Sequence, residues 1–213
     1  MPYLFSRQAR LGPGNIADAM GWATRITEKV NAVTELDVSL WSTVFSPALG
    51  TLSWVAIVED LAQLEAADGK LMVDGAYLDL LDEGAKYSNG QLADDSLVNL
   101  IYMDPGAADS NPTYVSVVDA VLTPGAYVRG IELGVEIAQR ASKISGQPVS
   151  FGAAQTGVYG GVAWVAGYDS VEQLQAAGEA LAADASFSKL LDDEASKAYQ
   201  AGATTQTVHR KVA

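Results

Sequence analysis

The chain contains one unit of roughly a hundred residues written twice in tandem, and this limits its possible folds more than any single motif does. When the sequence is displaced on itself by about 110 residues, Tyr3, Leu11, Pro13 and Gly14 fall on Tyr114, Leu122, Pro124 and Gly125. Gly50, Trp54, Val55 and Ala56 fall on Gly160, Trp164, Val165 and Ala166. Asp74, Tyr77, Leu80, Leu81 and Asp82 then fall on Asp184, Phe187, Leu190, Leu191 and Asp192. The register changes by one residue in the loop before the tryptophan segment. Three collinear matches across most of the chain are hard to obtain by chance.

Each copy predicts the order β-α-β-β-α-β. Its first segment, residues 3–11 or 114–122, is rich in β-branched and aromatic residues and ends at a Pro-Gly turn. An amphipathic helix follows, with Ile16, Met20, Ala23, Ile26 and Val30 recurring at spacings of three and four, and Tyr127, Ile131, Gly134, Ile137 and Ala141 in the same places of the second copy. Two strands come next, residues 38–44 and 51–58, with partners at 149–154 and 161–168. A second helical region starts at Asp60 or Ser170 and restarts at Asp74 or Asp184, where a carboxylate can accept from the free N–H groups of a first turn. The closing strands are residues 97–103 and 205–212. The predicted organisation is a first repeat over 1–103, a linker over 104–112 and a second repeat over 113–213. A copy of this size leaves one sheet face bare, and two copies can cover those faces. The expected fold class is therefore α+β: two tandem ferredoxin-like βαββαβ repeats packed sheet to sheet as one pseudo-dimeric α+β barrel.

Composition narrows the function classes. Apolar residues make up 49% of the chain, enough for a packed core. A net charge of −13 with only 13 Lys and Arg residues disfavours a phosphate backbone or an anionic membrane as partner. Without cysteine there is no disulfide, no thiolate nucleophile and no Cys-based metal site. No apolar run reaches the ~20 residues of a membrane span, and the first residues lack the pattern of a secretory signal, so a cytoplasmic location is expected.

The segments Leu122-Thr123-Pro124-Gly125, Gly161 to Ser170 around Trp164 and Tyr168, and Asp184 to Leu191 resemble the dimeric α+β barrel superfamily. That superfamily includes NIPSNAP proteins, antibiotic-biosynthesis monooxygenases and, more distantly, chlorite dismutases and dye-decolourising peroxidases. The resemblance is greatest to the NIPSNAP-like branch. It implies a barrel that binds a small apolar or aromatic molecule in a lumen lined by aromatic strand residues. The alternatives are a cofactor-independent monooxygenase or isomerase, and an assembly protein or homo-oligomer with protein partners. The haem-binding relatives ligate iron through a histidine on a helix, whereas the single histidine here lies on the closing strand. No cofactor is expected, with haem kept open as the exception.

Within a repeat, a single functional site has to lie where the copies differ. His209 stands opposite Asn99 and is a candidate general base; a site of several histidines is excluded because there is only one. Asp119, opposite Gln8, is a candidate for proton abstraction if buried. Trp41 stands opposite Gly152, so bulk in one copy meets space in the other. Arg7, opposite Val118, is a candidate for an anionic ligand, and lying three residues from Arg10 it occupies the other strand face. Asn99 and Tyr168 complete the candidate ligand-binding set. Each has a bland alternative: a hydrogen-bonded strand histidine, a compensating core tryptophan, an edge-strand charge that discourages aggregation. The paired carboxylates at Asp82-Glu83 and Asp192-Asp193-Glu194 read as solvated helix faces, and Gly160-Gly161 precedes a strand, so it is not a phosphate loop.

Overall fold

The computed structural model describes residues 1–107 and 110–213; Ala108 and Asp109, inside the predicted linker, lie outside the described residues. The order β-α-β-β-α-β occurs twice. The strands are β1 (Tyr3–Arg10), β2 (Ser39–Val44), β3 (Thr51–Val58), β4 (Asp94–Tyr102), β5 (Tyr114–Val121), β6 (Val149–Ala154), β7 (Gly161–Tyr168) and β8 (Thr205–Lys211). The helices of the first half are α1 (Ile16–Thr34), α2 (Leu61–Leu71) and α3 (Gly75–Gly84). Those of the second are α4 (Tyr127–Ser145), α5 (Val171–Ala183), α6 (Ala185–Leu190) and the short α7 (Ser196–Ala198), with a π-helical turn, Leu191–Ala195, between the last two. Hydrogen-bonded neighbours run β1-β3-β2-β8-β5-β7-β6-β4, and the sheet closes as a barrel. The fold is an α+β barrel made of two βαββαβ halves.

The chain divides into two compact units, Met1–Leu97 with Arg210–Ala213, and Val98–His209. In the first, β1 runs antiparallel to β3, with Phe5, Arg7 and Ala9 opposite Ala56, Trp54 and Leu52. The chain end also belongs to this unit: Val212 N–H donates to the Leu40 carbonyl at 2.7 Å, and Leu40 N–H to that of Ala213 at 2.7 Å. In the second unit β5 runs antiparallel to β7, with Ser116, Val118 and Ala120 opposite Ala166, Trp164 and Val162. The latter part of β4 lies beside β6, Asn99 opposite Ala153 and Leu100 opposite Gly152. Alternation along each strand gives one face to the helices and the other face away from them.

Local chemistry starts and stops the helices where the pattern predicts. Asp74 and Asp184 accept from the Tyr77 and Phe187 N–H groups at 2.9 and 2.8 Å. Asp60 and Ser170 do the same for Gln63 and Gln173. Such caps contribute about 1 kcal/mol each. Both Asp carboxylates are held below their ordinary pKa, Asp74 by Lys29 and then its cap, Asp184 by the Ser186 hydroxyl and then its cap. α4 ends at Gly146 in the left-handed conformation that suits glycine, whereas α1 ends on Glu35 in the same conformation, a less favourable choice.

The core of each unit lies between its sheet and its first helix. Leu40 and Leu52 are fully buried with Trp22, Ala23 and Ile26 in the first unit; Phe151 and Leu133 are fully buried with Ile137 and Ala138 in the second. Each such side chain contributes about 1.5–3 kcal/mol by burial. Close packing explains two helical glycines. A Cβ on Gly134 would lie 2.1 Å from the Phe151 ring, and one on Gly84 would lie 2.3 Å from that of Trp22.

The copies differ in the helix after Asp74 and Asp184. Leu11 bridges Ser88, and Leu122 bridges Tyr199, so one residue more separates Asp184 from its bridge than separates Asp74 from its own. The second copy absorbs that residue as the π turn. Gly134→Ala is expected to destabilise the protein by about 1–3 kcal/mol despite alanine's better helix propensity. Gly69→Ala in α2, where a Cβ meets nothing within 4 Å, is expected to stabilise it by up to about 1 kcal/mol. Urea midpoints of the two variants, moving in opposite directions, check this.

Candidate binding cavities

Each unit holds a cavity between the helix-facing side of its sheet and its helices. That of the second unit measures about 640 Å³, and that of the first about 490 Å³. Both fall in the range of small-molecule sites.

The wall of the second-unit cavity is built from Ser116, Val118 and Ala120 of β5, Trp164, Ala166 and Tyr168 of β7, Ile137 and Ala141 of α4, Gly178 and Leu181 of α5, and Leu191, Ala195, Tyr199, Gln200 and Gln206 further along the chain. Trp164 sets its depth: the indole N–H donates to the Gly134 carbonyl at 2.9 Å, and the ring meets Phe151 and Tyr199 at centroid distances of 5.1 and 5.3 Å. The π turn supplies Leu191 and Ala195 and carries the chain on to Tyr199, whose hydroxyl donates to the Gly130 carbonyl at 2.7 Å. Gln206 donates to the Ser116 hydroxyl and Gln200 to the Leu122 carbonyl, both at 2.9 Å. Tyr168 is 7% exposed, and its hydroxyl, which keeps some solvent contact, makes no hydrogen bond to protein among the described residues. Burial pushes the Tyr168 and Tyr199 phenols up, so both stay protonated at neutral pH. This wall therefore carries hydroxyls and amides on an apolar surface, with no carboxylate, imidazole or ammonium among its described residues.

The first-unit cavity has an apolar floor of Trp22, Ile26, Leu36, Trp54 and Leu71. Here the Trp54 indole N–H donates to the Thr27 hydroxyl at 2.9 Å, and Trp22 and Trp54 meet edge to face at 5.8 Å. Its polar part is charged. Arg7 donates through Nε and Nη2 to the two Asp95 oxygens at 2.7 and 2.8 Å, and Glu65, Asp68 and Tyr77 lie on the same wall. The Asp95 hydrogen bond raises the Arg7 pKa further, and burial raises that of Tyr77.

Of the residues predicted from sequence, Tyr168 lies in the second-unit cavity and Arg7 in that of the first. Arg7, expected to meet an anionic ligand, is neutralised in place by Asp95. The other four lie outside both walls. Asp119 sits between Val118 and Ala120 on β5, and His209 follows Gln206 by three residues on β8, so both side chains leave the sheet on the face away from the cavity. Trp41 alternates with core Leu40 and likewise faces away; Lys211 stands over its ring at 5.9 Å. Asn99 pairs with Ala153, and its Oδ1 is buried without a partner among the described residues. Trp54, Trp164 and Tyr168 all fall on the strand positions that face the helices, so these aromatic strand residues line cavities in the sheet–helix layer. The sequence reading missed Tyr199, Gln200, Gln206 and Ser116; the extra residue before Tyr199 was the available signal.

Burial raises the Asp119 pKa and lowers that of His209, whose Nε2 lies 3.1 Å from the Thr207 hydroxyl. The second-unit wall offers no imidazole, thiolate or thioether for haem; its phenols, Tyr168 and Tyr199, are both held protonated by burial, and the Tyr199 hydroxyl is engaged by Gly130. No group of metal-ligating side chains occurs among the described residues, and none of the helices described is long and apolar enough to cross a membrane.

No family model and no curated protein sequence matches the chain. Solved structures share its fold. A candidate monooxygenase from Fusobacterium nucleatum subsp. nucleatum matches 100% of this chain and 93% of its own, at 10% identity and a TM-score of 0.71. An anthrone oxidase-like protein matches 100% and 91%, at 12% identity and 0.66. A heme-binding protein from Thermus thermophilus matches 99% and 90%, at 14% identity and 0.56. At such identities the likeness is one of fold, and the fold carries several chemistries.

The lone histidine gives a clean test of its environment. Its imidazole C2 proton should titrate in NMR with a midpoint below the ordinary value of 6.5. Because the native state disfavours the charged form, the unfolded chain binds the proton more tightly. Stability should then fall as pH drops from about 6.5 to the native midpoint and gain no further slope from this group below it. His209→Gln should flatten that part of the urea-midpoint profile; a midpoint at or above 6.5 would contradict the burial.

Proposed function

We propose that the protein binds a small, neutral, apolar or aromatic molecule in the second-unit cavity. The observation that carries this reading is the uncharged wall with one buried, unpartnered phenol, Tyr168. Apolar lining gives affinity by burial, and the Tyr168 hydroxyl gives orientation. A proton-abstracting monooxygenase or isomerase would need a group on this wall that accepts a proton near neutral pH. Tyr168 and Tyr199 are its only titratable groups among the described residues, and both are held protonated. Binding without acid–base catalysis by the wall is the better reading.

1-Naphthol is a suitable probe. It should bind with one-to-one stoichiometry in calorimetry, and Tyr168→Phe should weaken it about fivefold, as for one lost neutral hydrogen bond. The same variant should leave 1-methylnaphthalene unaffected. Gly178→Leu fills the cavity mouth, where a Cβ meets nothing within 4 Å, and should abolish binding of both while the fold is kept. Naphthol binding unchanged in Gly178→Leu would remove the proposal.

A specific observation favours association as a second reading. Val158 and Tyr159, at the β6–β7 hairpin, are 64% and 96% exposed, and Phe45 and Leu49, at the β2–β3 hairpin, are 74% and 66% exposed. Unpaired apolar tips of this kind mark contact sites. Light scattering at rising concentration should show a mass above 22.3 kDa that Tyr159→Ser with Phe45→Ser returns to the monomer; a monomer throughout removes this reading.

A further inference from the structure

We propose that the first-unit cavity is a second, separate ligand site, and that it takes an organic cation: an ammonium group on an apolar or aromatic body. The two cavities occupy equivalent places in the repeat but differ in charge. Arg7, Glu65, Asp68 and Tyr77 line the first where the repeat sets Val118, Gln175, Gly178 and Phe187 in the second copy. The second wall is neutral, while the first carries Arg7 against Glu65, Asp68 and Asp95.

Arg7 does not make this an anion site. Two of its five N–H groups, one on Nε and one on Nη2, go to Asp95 in a planar two-bond pair that offsets the guanidinium charge. What remains uncompensated is the charge of Glu65 and Asp68, both solvent-exposed residues on α2. Asp68, though exposed, lines the same cavity as Arg7, Tyr77 and Asp95, so its charge borders the polar end of that cavity. An anion entering there meets two carboxylates and an arginine already matched; an ammonium meets the opposite sign. Beneath this end lie the rings of Trp22 and Trp54 with Ile26, Leu36 and Leu71, about 490 Å³ suited to an apolar body. A neutral molecule lacks the charge that complements Glu65 and Asp68 and is not expected to saturate this cavity. Charge complementarity at the mouth and apolar burial below define the class.

Three probes that share one ring system test this: 1-naphthylmethylammonium, 1-naphthylacetate and 1-methylnaphthalene, titrated into the full chain by calorimetry. The Gly178→Leu background, with the second-unit cavity closed, isolates the first. The ammonium should bind there in one-to-one stoichiometry and shift the indole N–H resonances of Trp22 and Trp54 in NMR. Its affinity should fall with added salt. Glu65→Gln with Asp68→Asn should weaken it at least about fivefold, the scale of a partly exposed charge contact. Both residues are exposed, so folding should be kept, as circular dichroism can check. Ammonium binding insensitive to this double change, naphthylacetate binding as tightly as the ammonium, or no saturable ammonium binding in the Gly178→Leu protein would each overturn the proposal. None of these outcomes bears on naphthol binding in the second-unit cavity, so the two sites stand or fall separately.

Discussion

The contact on which both sites depend is the hydrogen bond from a strand tryptophan to the first helix of its own repeat. Trp54 reaches the Thr27 hydroxyl, and Trp164 reaches the backbone carbonyl of Gly134. In each case a wide ring stands on the sheet and its N–H fixes how far away the helix lies. A buried indole needs a partner for its N–H, so the ring orientation is set as well as its depth. The space left beside the ring, under the second helical region, is the cavity. Replacing the tryptophan with an aliphatic residue would remove both the spacer and the anchor.

Around that shared device the copies have diverged in length and in charge. In the second, an added residue swells the helix into a π turn and brings Leu191, Ala195 and Tyr199 to the cavity wall. In the first, the corresponding helix stays α-helical, and Trp22 fills space against Gly84 and sends its own indole N–H to the Leu80 carbonyl at 2.7 Å. The second wall is uncharged; the first carries a matched ion pair beside two further carboxylates. One scaffold thus offers two places of different polarity, which is a means for a repeat protein to hold two unlike molecules. The fold neighbours, a candidate monooxygenase and a heme-binding protein among them, place no limit on which molecules those are.

The fold was legible because its signals are local and were written twice. The Pro-Gly turns, the three-and-four spacing of α1 and α4, and the carboxylates of Asp74 and Asp184 each specify structure within a few residues. The site was legible only in part. Comparing the copies raised Arg7, which lines a cavity, together with His209, Asp119 and Trp41, which do not, because a difference between copies does not say on which strand face it falls. Alternation settles that only after one residue of the strand has been anchored, and the anchors are long-range: Ser116 to Gln206 and Tyr199 to Gly130 join segments 90 and 69 residues apart.

The sequence by itself determined the doubled β-α-β-β-α-β order, the caps that start the helices, the apolar stripes and the acidic net charge. All of these follow from propensity, periodicity and charge, which act over one or two turns of chain. Tertiary structure alone decided that Arg7 is spent on Asp95, that His209 and Asp119 turn away from the cavity, and that Tyr168 keeps an unpartnered hydroxyl inside it. Those outcomes depend on which side chains meet across the closed sheet and under the helices. Packing and hydrogen-bond satisfaction choose among such meetings only when the whole chain is in place.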